Sequence, residues 1–437
     1  MNIVYGLLDA KKALLDLRDL EGSDQYESSK NAVESILSQV RSLGDTALRK
    51  LTLDFEGINI TDLEVPRSEF TAAYDRVPKE VVNSLEIAAD RIRRFHSSSL
   101  PKNWMDDCEG YGEIFNPVRR VGVYIPGGNA SFPSTVLMTV IPARVAGVPE
   151  VIITTPSSDG NTPHPSVLVA ADISGVDRVF QVGGAQAIAA MAFGTDTIPR
   201  VDLICGPGGL HTTLAKKSVF GTVGIDGLYG PTETVLIADE TANPTLCAAD
   251  LVAQAEHDAL ATPVLITTSK QLAVSAQKEA KLRASLLPRS VIAMKSLNDR
   301  GIVAVVDNLD EAIELSNSFA PEHLCLLVRN PSNHLRKIEN AGAIFLGEFS
   351  HEVLGDYIAG PSHVMPTGGT SKFGSGVGVH TFLKVSSVIF LDEKRAASLS
   401  KPASILARSE GFTGHAEAAE IRDELVHNPV TRECDEI

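Results

Sequence analysis

The sequence has few cysteines, a single tryptophan and no long apolar run. Its five cysteines (Cys108, Cys205, Cys247, Cys325 and Cys434) are odd in number and far apart. That pattern argues against a disulfide framework and against a Cys-based zinc site, and it suits a reducing cytoplasm. No apolar stretch reaches the roughly 18 residues needed for a membrane-spanning helix. The opening Met1-Asn2-Ile3-Val4-Tyr5-Gly6 lacks a basic region followed by an apolar one, so no secretory signal is expected. Positive charge is also short. Lys plus Arg number 39 against 55 Asp plus Glu, a formal net charge of −16, which speaks against a nucleic-acid partner. What remains is an ordinary globular composition, 43% apolar and 22% charged over 437 residues, long enough for two to four domains. Histidine is lopsided: eight of 11 lie from His257 onward, so imidazole chemistry is expected in the second half.

Organisation follows from periodicity. Up to about residue 120 the chain reads mainly as helices, with Ser28–Leu43 and Val81–Phe95 carrying apolar residues at helical spacing. Leu100–Gly112 reads as a loop or hairpin. From Arg120 the pattern becomes strand, glycine turn, helix. Strands are expected at Val121–Ile125, Val151–Thr155, Arg178–Val182 and Val201–Cys205. After Pro231 come further strands at Glu233–Ala238, Val264–Thr267, Ile302–Val306, Leu324–Val328 and Ala343–Leu346. Such alternation implies parallel sheets covered on both faces. Pro142, inside the expected helix Ser134–Val145, is a mismatch that suggests a kink. From about Glu393 the tail reads as helical.

Three glycine turns, Gly127-Gly128, Gly183-Gly184 and Gly206-Pro207-Gly208-Gly209, each leave a strand and enter a helix. Glycine lets backbone approach a ligand, and a helix N-terminus offers free N–H groups, so together they would suit a nucleotide crevice. Each alone is equally a tight strand-to-helix connection, and no G-x-G-x-x-G with a following acid is present.

Candidate chemistry lies further on. Gln254 and His257 fall three apart on an expected helix, Leu246–His257, where an amide oxygen and an imidazole nitrogen share a face; a solvated helix end is the plain alternative. Glu322 and His323 stand side by side before a buried strand, behind Pro321, which pushes Ala320 out of helical geometry. Asp356 and His363 bound a glycine-containing turn. Glu410 and His415 flank a second one, which also reads as a helix start.

These stretches resemble the histidinol dehydrogenases, and the resemblance covers nearly the whole chain. It is carried by Gly44-Asp45-Thr46-Ala47-Leu48, Arg93-Arg94-Phe95-His96, Arg120 to Gly128, Gly183 to Ala190, Gln254-Ala255-Glu256-His257-Asp258, Ala320-Pro321-Glu322-His323-Leu324, Gly355-Asp356-Tyr357, His363-Val364-Met365-Pro366-Thr367 and Glu410 to His415. The resemblance implies an α/β chain of two incomplete Rossmann-like parallel-sheet domains with helical N- and C-terminal arms. Its expected borders are an N-terminal arm at 1–19, a catalytic α/β domain from 20–123 and 232–377, an inserted NAD-binding domain at 124–231, and a C-terminal dimerisation arm at 378–437.

The implied activity is NAD-dependent, zinc-requiring oxidation of L-histidinol through histidinal to L-histidine, the last step of histidine biosynthesis. Gln254, His257, Asp356 and His415 would hold one zinc ion per subunit. Glu322 and His323 would be catalytic, Glu322 activating water and His323 taking the alcohol proton. Thr232, His363 and Glu410 would join the zinc ligands and His323 in holding substrate. Tyr124, Gln186 and Gly209 would touch NAD, with Gly209 standing where the family commonly has Asn. The implied assembly is a cytoplasmic homodimer whose subunits share sites, Glu410 and His415 being lent across. A relative oxidising another small polar alcohol, such as sulfopropanediol, is the alternative. A zinc hydrolase fits less well, since hydrolysis needs no dinucleotide crevice.

Overall fold

The computed structural model describes residues 1–18, 24–127, 131–158 and 162–427. Gly128 of the first glycine turn lies outside them. The strands are β1 (Asn2–Tyr5), β2 (Trp104–Asp106), β3 (Tyr111–Pro117), β4 (Arg120–Tyr124), β5 (Glu150–Thr154), β6 (Arg178–Phe180), β7 (Leu203–Cys205), β8 (Gly224–Ile225), β9 (Glu233–Ala238), β10 (Thr262–Thr267), β11 (Ile302–Val305), β12 (His323–Leu327), β13 (Ala343–Leu346) and β14 (Leu383–Ile389). They divide between two compact units.

The first unit comprises 1–100 and 117–382 and holds two parallel sheets. One has the order β6-β5-β4-β7-β8 and the other β1-β11-β10-β9-β12-β13. In the first, the chain starts in the middle at β4, steps outward through β5 and β6, then crosses back and steps outward through β7 and β8; in the second, β9 to β13 repeat this path, with β1 added at the edge beside β11. This is the doubly wound order, and in the first sheet it leaves a crevice where the direction reverses, at the carboxyl end of β4.

The strands of the second sheet show why they are apolar throughout. Val235, Ile237, Val264, Ile266, Leu324 and Leu326 pack on one face with Ala10, Leu14 and Phe319. Leu236, Ala238, Leu265, Cys325 and Leu327 pack on the other with Leu251, Ala276 and Leu297. Alternate residues therefore meet different helix layers, and neither face is left for polar side chains. Each fully buried Val, Leu or Ile contributes about 1.5–3 kcal/mol. In the first sheet, Tyr124, Ile152, Phe180 and Ile204 pack on residues of the helices Asp24–Leu43, Asp45–Glu56, Gly184–Phe193 and Leu210–Val219.

The expected elements recur with small shifts. The helix Pro133–Val145 runs on through Pro142. Its residues Thr135 to Ala143 are all buried, so packing outweighs the local cost of a missing N–H. Within the expected N-terminal arm, Asn2–Tyr5 forms β1 and pairs in parallel with β11. Four residues are too few for periodicity to announce this strand.

The second unit comprises 101–116 and the residues from 383 on. It contains the hairpin β2–β3, expected as a loop or hairpin, in the three-stranded order β14-β3-β2. The helices Glu393–Ser409 and Thr413–His427 pack on each other, with Arg408 and Ser404 both bound to Glu420. No helix among the described residues is long and apolar enough to cross a membrane.

Candidate active site

The site is assembled at the amino ends of β12 and β9, in the turn that precedes β12. The helix Leu309–Phe319 ends at Ala320, which takes the left-handed conformation (φ 53°) although it carries a Cβ. That conformation costs about 1–2 kcal/mol and, in a non-glycine residue, marks a functional turn. The turn delivers Glu322 and His323 together into the interior, both buried.

Glu322 Oε2 accepts from Thr232 Oγ1 at 2.5 Å and from the Glu233 amide at 3.0 Å. The Thr232 hydroxyl in turn accepts from Gln254 Nε2 at 2.7 Å. With its nitrogen so committed, the Gln254 amide aims a buried Oε1 that has no hydrogen-bond partner. Thr232 thus joins the carboxylate to the amide through one oxygen.

His323 Nδ1 lies 3.2 Å from the Glu233 carbonyl oxygen. A carbonyl only accepts, so Nδ1 carries a proton, and Nε2 is the nitrogen at which a second proton can be gained or lost. Nε2 is buried without a hydrogen-bond partner and lies 3.4 Å from Asp356 Oδ1. Asp356 Oδ2 is 3.9 Å from His257 Nε2. Glu352 Oε1 stands 4.0 Å from His323 Nδ1, and its other oxygen accepts from Thr234 Oγ1.

Burial alone lowers the His323 pKa, yet the carboxylates of Glu352, Glu322 and Asp356 together raise it well above the ordinary value. Burial raises Glu322, and it pushes Glu352 to about 8. Asp356 goes the other way: burial would raise it, but the neighbouring imidazole of His323 holds it low. Glu233, one residue into β9, is pushed by burial to about 7 despite Arg18 Nη2 at 3.2 Å.

His363 bridges two elements. Its Nδ1 is 2.6 Å from the Asp356 carbonyl and its Nε2 is 3.1 Å from Thr135 Oγ1. Both nitrogens are engaged within the chain, and the neutral ring fixes the backbone behind Asp356. Burial lowers its pKa accordingly.

Two local expectations need correction. The helix carrying Gln254 ends at Ala255, so His257 stands in the following turn rather than on a helix face. A hydrogen bond of 3.3 Å from the His257 amide to the Gln254 carbonyl keeps the two in one turn. Asp356 lies in a short helix, Glu352–Tyr357, not in an open glycine turn. A cavity of about 600 Å³, lined among others by His257, Tyr357, Phe132, Ser134 and His164, adjoins the group. Its size suits a small ligand.

Three carboxylate and imidazole atoms, from His323, Glu352 and Asp356, come within 4.8 Å of one another, a spacing that admits a metal ion. Asp356 belongs both to this group and to the expected set with Gln254 and His257. The unpartnered Gln254 Oε1 supports the expected set: a buried carbonyl oxygen held without a donor is a ligand atom waiting for a cation. Glu410 and His415 belong to the second unit and are exposed there.

The other crevice gathers the glycine turns. The Gly184 amide donates to Tyr124 Oη at 3.2 Å. Side chains built on Gly127 and Gly183 would both collide with Pro156 at the end of β5, and one on Gly206 would collide with the Tyr124 backbone. These glycines are therefore required by close approach. Gln186 is buried in the first turn of Gly184–Phe193. Gly209 caps Leu210–Val219 in open space that would admit an Asn side chain. Lys216 Nζ binds both the Gly206 carbonyl and Asp226, and Asp226 accepts from the Gly206 amide, so a buried ion pair clamps this turn.

Comparison with known proteins now decides the family. The family model for histidinol dehydrogenase matches residues 20–423. The chain belongs to the histidinol dehydrogenase family. It is 46% identical to the histidinol dehydrogenase of Dehalococcoides mccartyi (strain CBDB1), covering 96% of this chain and 99% of that one. It is 47% identical to that of Aquifex aeolicus (strain VF5), covering 91% and 93%. A crystal structure of histidinol dehydrogenase from Elizabethkingia anophelis superposes with a TM-score of 0.93 at 34% identity, over 98% of this chain and 99% of that one. This histidinol dehydrogenase family member is thus an oxidoreductase, and a sulfopropanediol-type relative is not favoured. Glu352, Thr234, Glu233 and Arg18 were not among the expected site residues. The one available signal was Glu352's place four residues before Asp356.

Proposed function

We propose that the chain catalyses the NAD-dependent, two-step oxidation of L-histidinol to L-histidine in histidine biosynthesis. The observation that carries the reading is the pairing of Glu322 and His323 in one buried site, with His323 Nε2 3.4 Å from Asp356 Oδ1. Oxidising an alcohol removes a proton from oxygen and a hydride from carbon. His323 Nε2 takes the proton, and the Glu233 carbonyl holds the ring for it. Bound NAD supplies the hydride acceptor, and bound zinc supplies positive charge that holds the nitrogen atoms of the substrate. For the second oxidation a water must add to the aldehyde. Glu322 takes a proton from that water, its position fixed by Thr232 and the Glu233 amide. Two hydrides leave in all, and the added water supplies the second carboxylate oxygen.

Gln254, His257 and Asp356 hold the metal on this reading, with His415 completing the set. Thr232 and His363 order the site around the substrate. Glu410 and His415 are exposed in the second unit, available to another copy of the chain. That supports a homodimer with shared sites, residues 378–437 forming the dimerisation arm. Residues 124–231 hold the cofactor through Tyr124, Gln186 and Gly209, while 20–123 and 232–377 carry the chemistry. The unpaired Cys108, Cys205, Cys247 and Cys325 support a cytoplasmic setting.

The test is NADH formation from L-histidinol by the zinc-loaded protein. Two NADH per histidine formed is expected, and no NADH would reject the reading. Asp356→Ala should lose bound zinc, measured by metal analysis; unchanged metal content would remove Asp356 from the ligand set.

A further inference from the structure

In a doubly wound dinucleotide site an acid at the end of the second strand accepts the ribose hydroxyls on the adenosine side. Here the second strand, β5, ends Thr154-Thr155-Pro156 and offers no acid. Another element fills the place. The helix Asp45–Glu56 packs against Gly184–Phe193 and ends at Glu56, followed by left-handed Gly57. Glu56 Oε1 lies 3.0 Å from the position of a side-chain carbon built on Gly183, and Pro156 lies equally close to that position. Its carboxylate therefore stands over the glycine turn after β6, beside the end of β5. It is near enough to Tyr124 for its charge to raise the phenol.

We infer that Glu56 is the acceptor for the adenosine-side ribose diol of the dinucleotide, and so the residue that selects NAD over its 2′-phosphorylated form. The inference rests on the cofactor reading above and deepens it. Among the described residues Glu56 accepts no hydrogen bond and pairs with no cation. It sits in the last turn of its helix, where the helix dipole disfavours an acid. Partial burial, with no offsetting charge, raises its pKa. An acid kept where it weakens its own helix is explained by a donor that arrives with the ligand. Two vicinal hydroxyls would supply it, whereas a 2′-phosphate would meet like charge and offer no donor.

The test uses the zinc-loaded full chain and Glu56→Gln, titrated with NAD and with NADP by calorimetry and assayed with L-histidinol. Losing a charged acceptor should weaken NAD binding and raise its KM about 10- to 100-fold. The preference for NAD over NADP should narrow, while kcat at saturating NAD and the KM for histidinol stay near wild type. The melting temperature should hold or rise, because an unpartnered acid leaves a helix C-terminus. A variant that binds NAD as tightly as wild type, with its NADP discrimination intact, overturns the inference and leaves the proposed function standing. Loss of kcat and melting temperature together, without a change in NAD affinity, also overturns it by showing a structural role. A wild-type chain that binds no NAD overturns the cofactor reading and this inference with it.

Discussion

Thr232→Val tests the arrangement at its narrowest point. The substitution keeps the side-chain volume and removes the single oxygen that joins Glu322 to Gln254. Glu322 keeps the Glu233 amide but loses its shorter donor. A hydrogen bond to a charged acceptor contributes about 1.5–3 kcal/mol, which is about 10- to 100-fold in the step that needs a correctly aimed Glu322. The second effect falls on Gln254. Its Nε2 loses its partner in a fully buried position, a cost of about 1–3 kcal/mol unless the amide rotates to find another. Rotation re-aims the buried Oε1, so on the proposed ligand set zinc affinity should fall too. The two consequences separate experimentally. Turnover of added histidinal reports on Glu322, and metal analysis after dialysis against a graded chelator series reports on Gln254. Thr232→Ser keeps the oxygen and should restore both. A valine variant with wild-type histidinal turnover and wild-type zinc retention would refute the linkage.

His323→Asn removes the proton acceptor while leaving Gln254, His257 and Asp356 in place; NADH formation from histidinol should drop about 100- to 10,000-fold with zinc retained, and equal turnover would reject the base. Lys216→Met strips the cation from a fully buried pair with Asp226, so chemical denaturation should show a loss of about 3–5 kcal/mol, much reduced in the double variant with Asp226→Asn. Equal stability of the single variant would show that the clamp on the Gly206 turn is idle. His96 is buried with both ring nitrogens unpartnered, and burial lowers its pKa to about 4. The unfolded chain, near 6.5, takes up the proton first as pH falls, so stability is full above about pH 6.5 and declines toward pH 4, by about 3 kcal/mol in total. His96→Leu should flatten that acid limb in urea titrations; an unchanged limb would count against it.

The strand–glycine–helix rhythm from Arg120 to Gly209 was legible because each element is local and long enough to show its period. The two sheets followed from it. Glu322 and His323 stood out because they are neighbours in sequence. Other parts of the site have no such signal. Thr232 meets Glu322 across 90 residues, and Thr234 meets Glu352 across 118. Thr232 and Thr234 lie at the start of β9, Glu322 just before β12 and Glu352 beyond β13, and they are joined only when β12 inserts next to β9. Glu56 is separated from Gly183 by more than a hundred residues and reads in sequence as an unremarkable helix end. His257 was placed on a helix face because the apolar period runs up to it, whereas the backbone turns two residues earlier. Local period reports where an element exists; it does not report which carboxylate another strand brings to it.

The charges of the site explain why those distant carboxylates matter. Glu322, Glu352 and Asp356 surround His323, and among the described residues none of them has an arginine partner. Thr232, Thr234 and the Glu233 amide fix the positions of Glu322 and Glu352 without cancelling their charge. Burial therefore drives protons onto Glu322 and Glu352, and the carboxylates drive one onto His323, the group that must be free of a proton to act as a base. Positive charge brought by ligands reverses both tendencies. On the proposed function, a divalent cation at Asp356 and the amine of an amino alcohol would offset the same carboxylates and lower the His323 pKa again. The glycine crevice is built on the opposite principle. Its cation, Lys216, is neutralised by Asp226, and what it offers an anionic ligand is backbone N–H at the starts of Gly184–Phe193 and Leu210–Val219. On the proposed function, the net charge of −16 thus conceals a division of labour: an acidic part suited to a cationic substrate and a metal, and an N–H-rich part suited to an anionic dinucleotide.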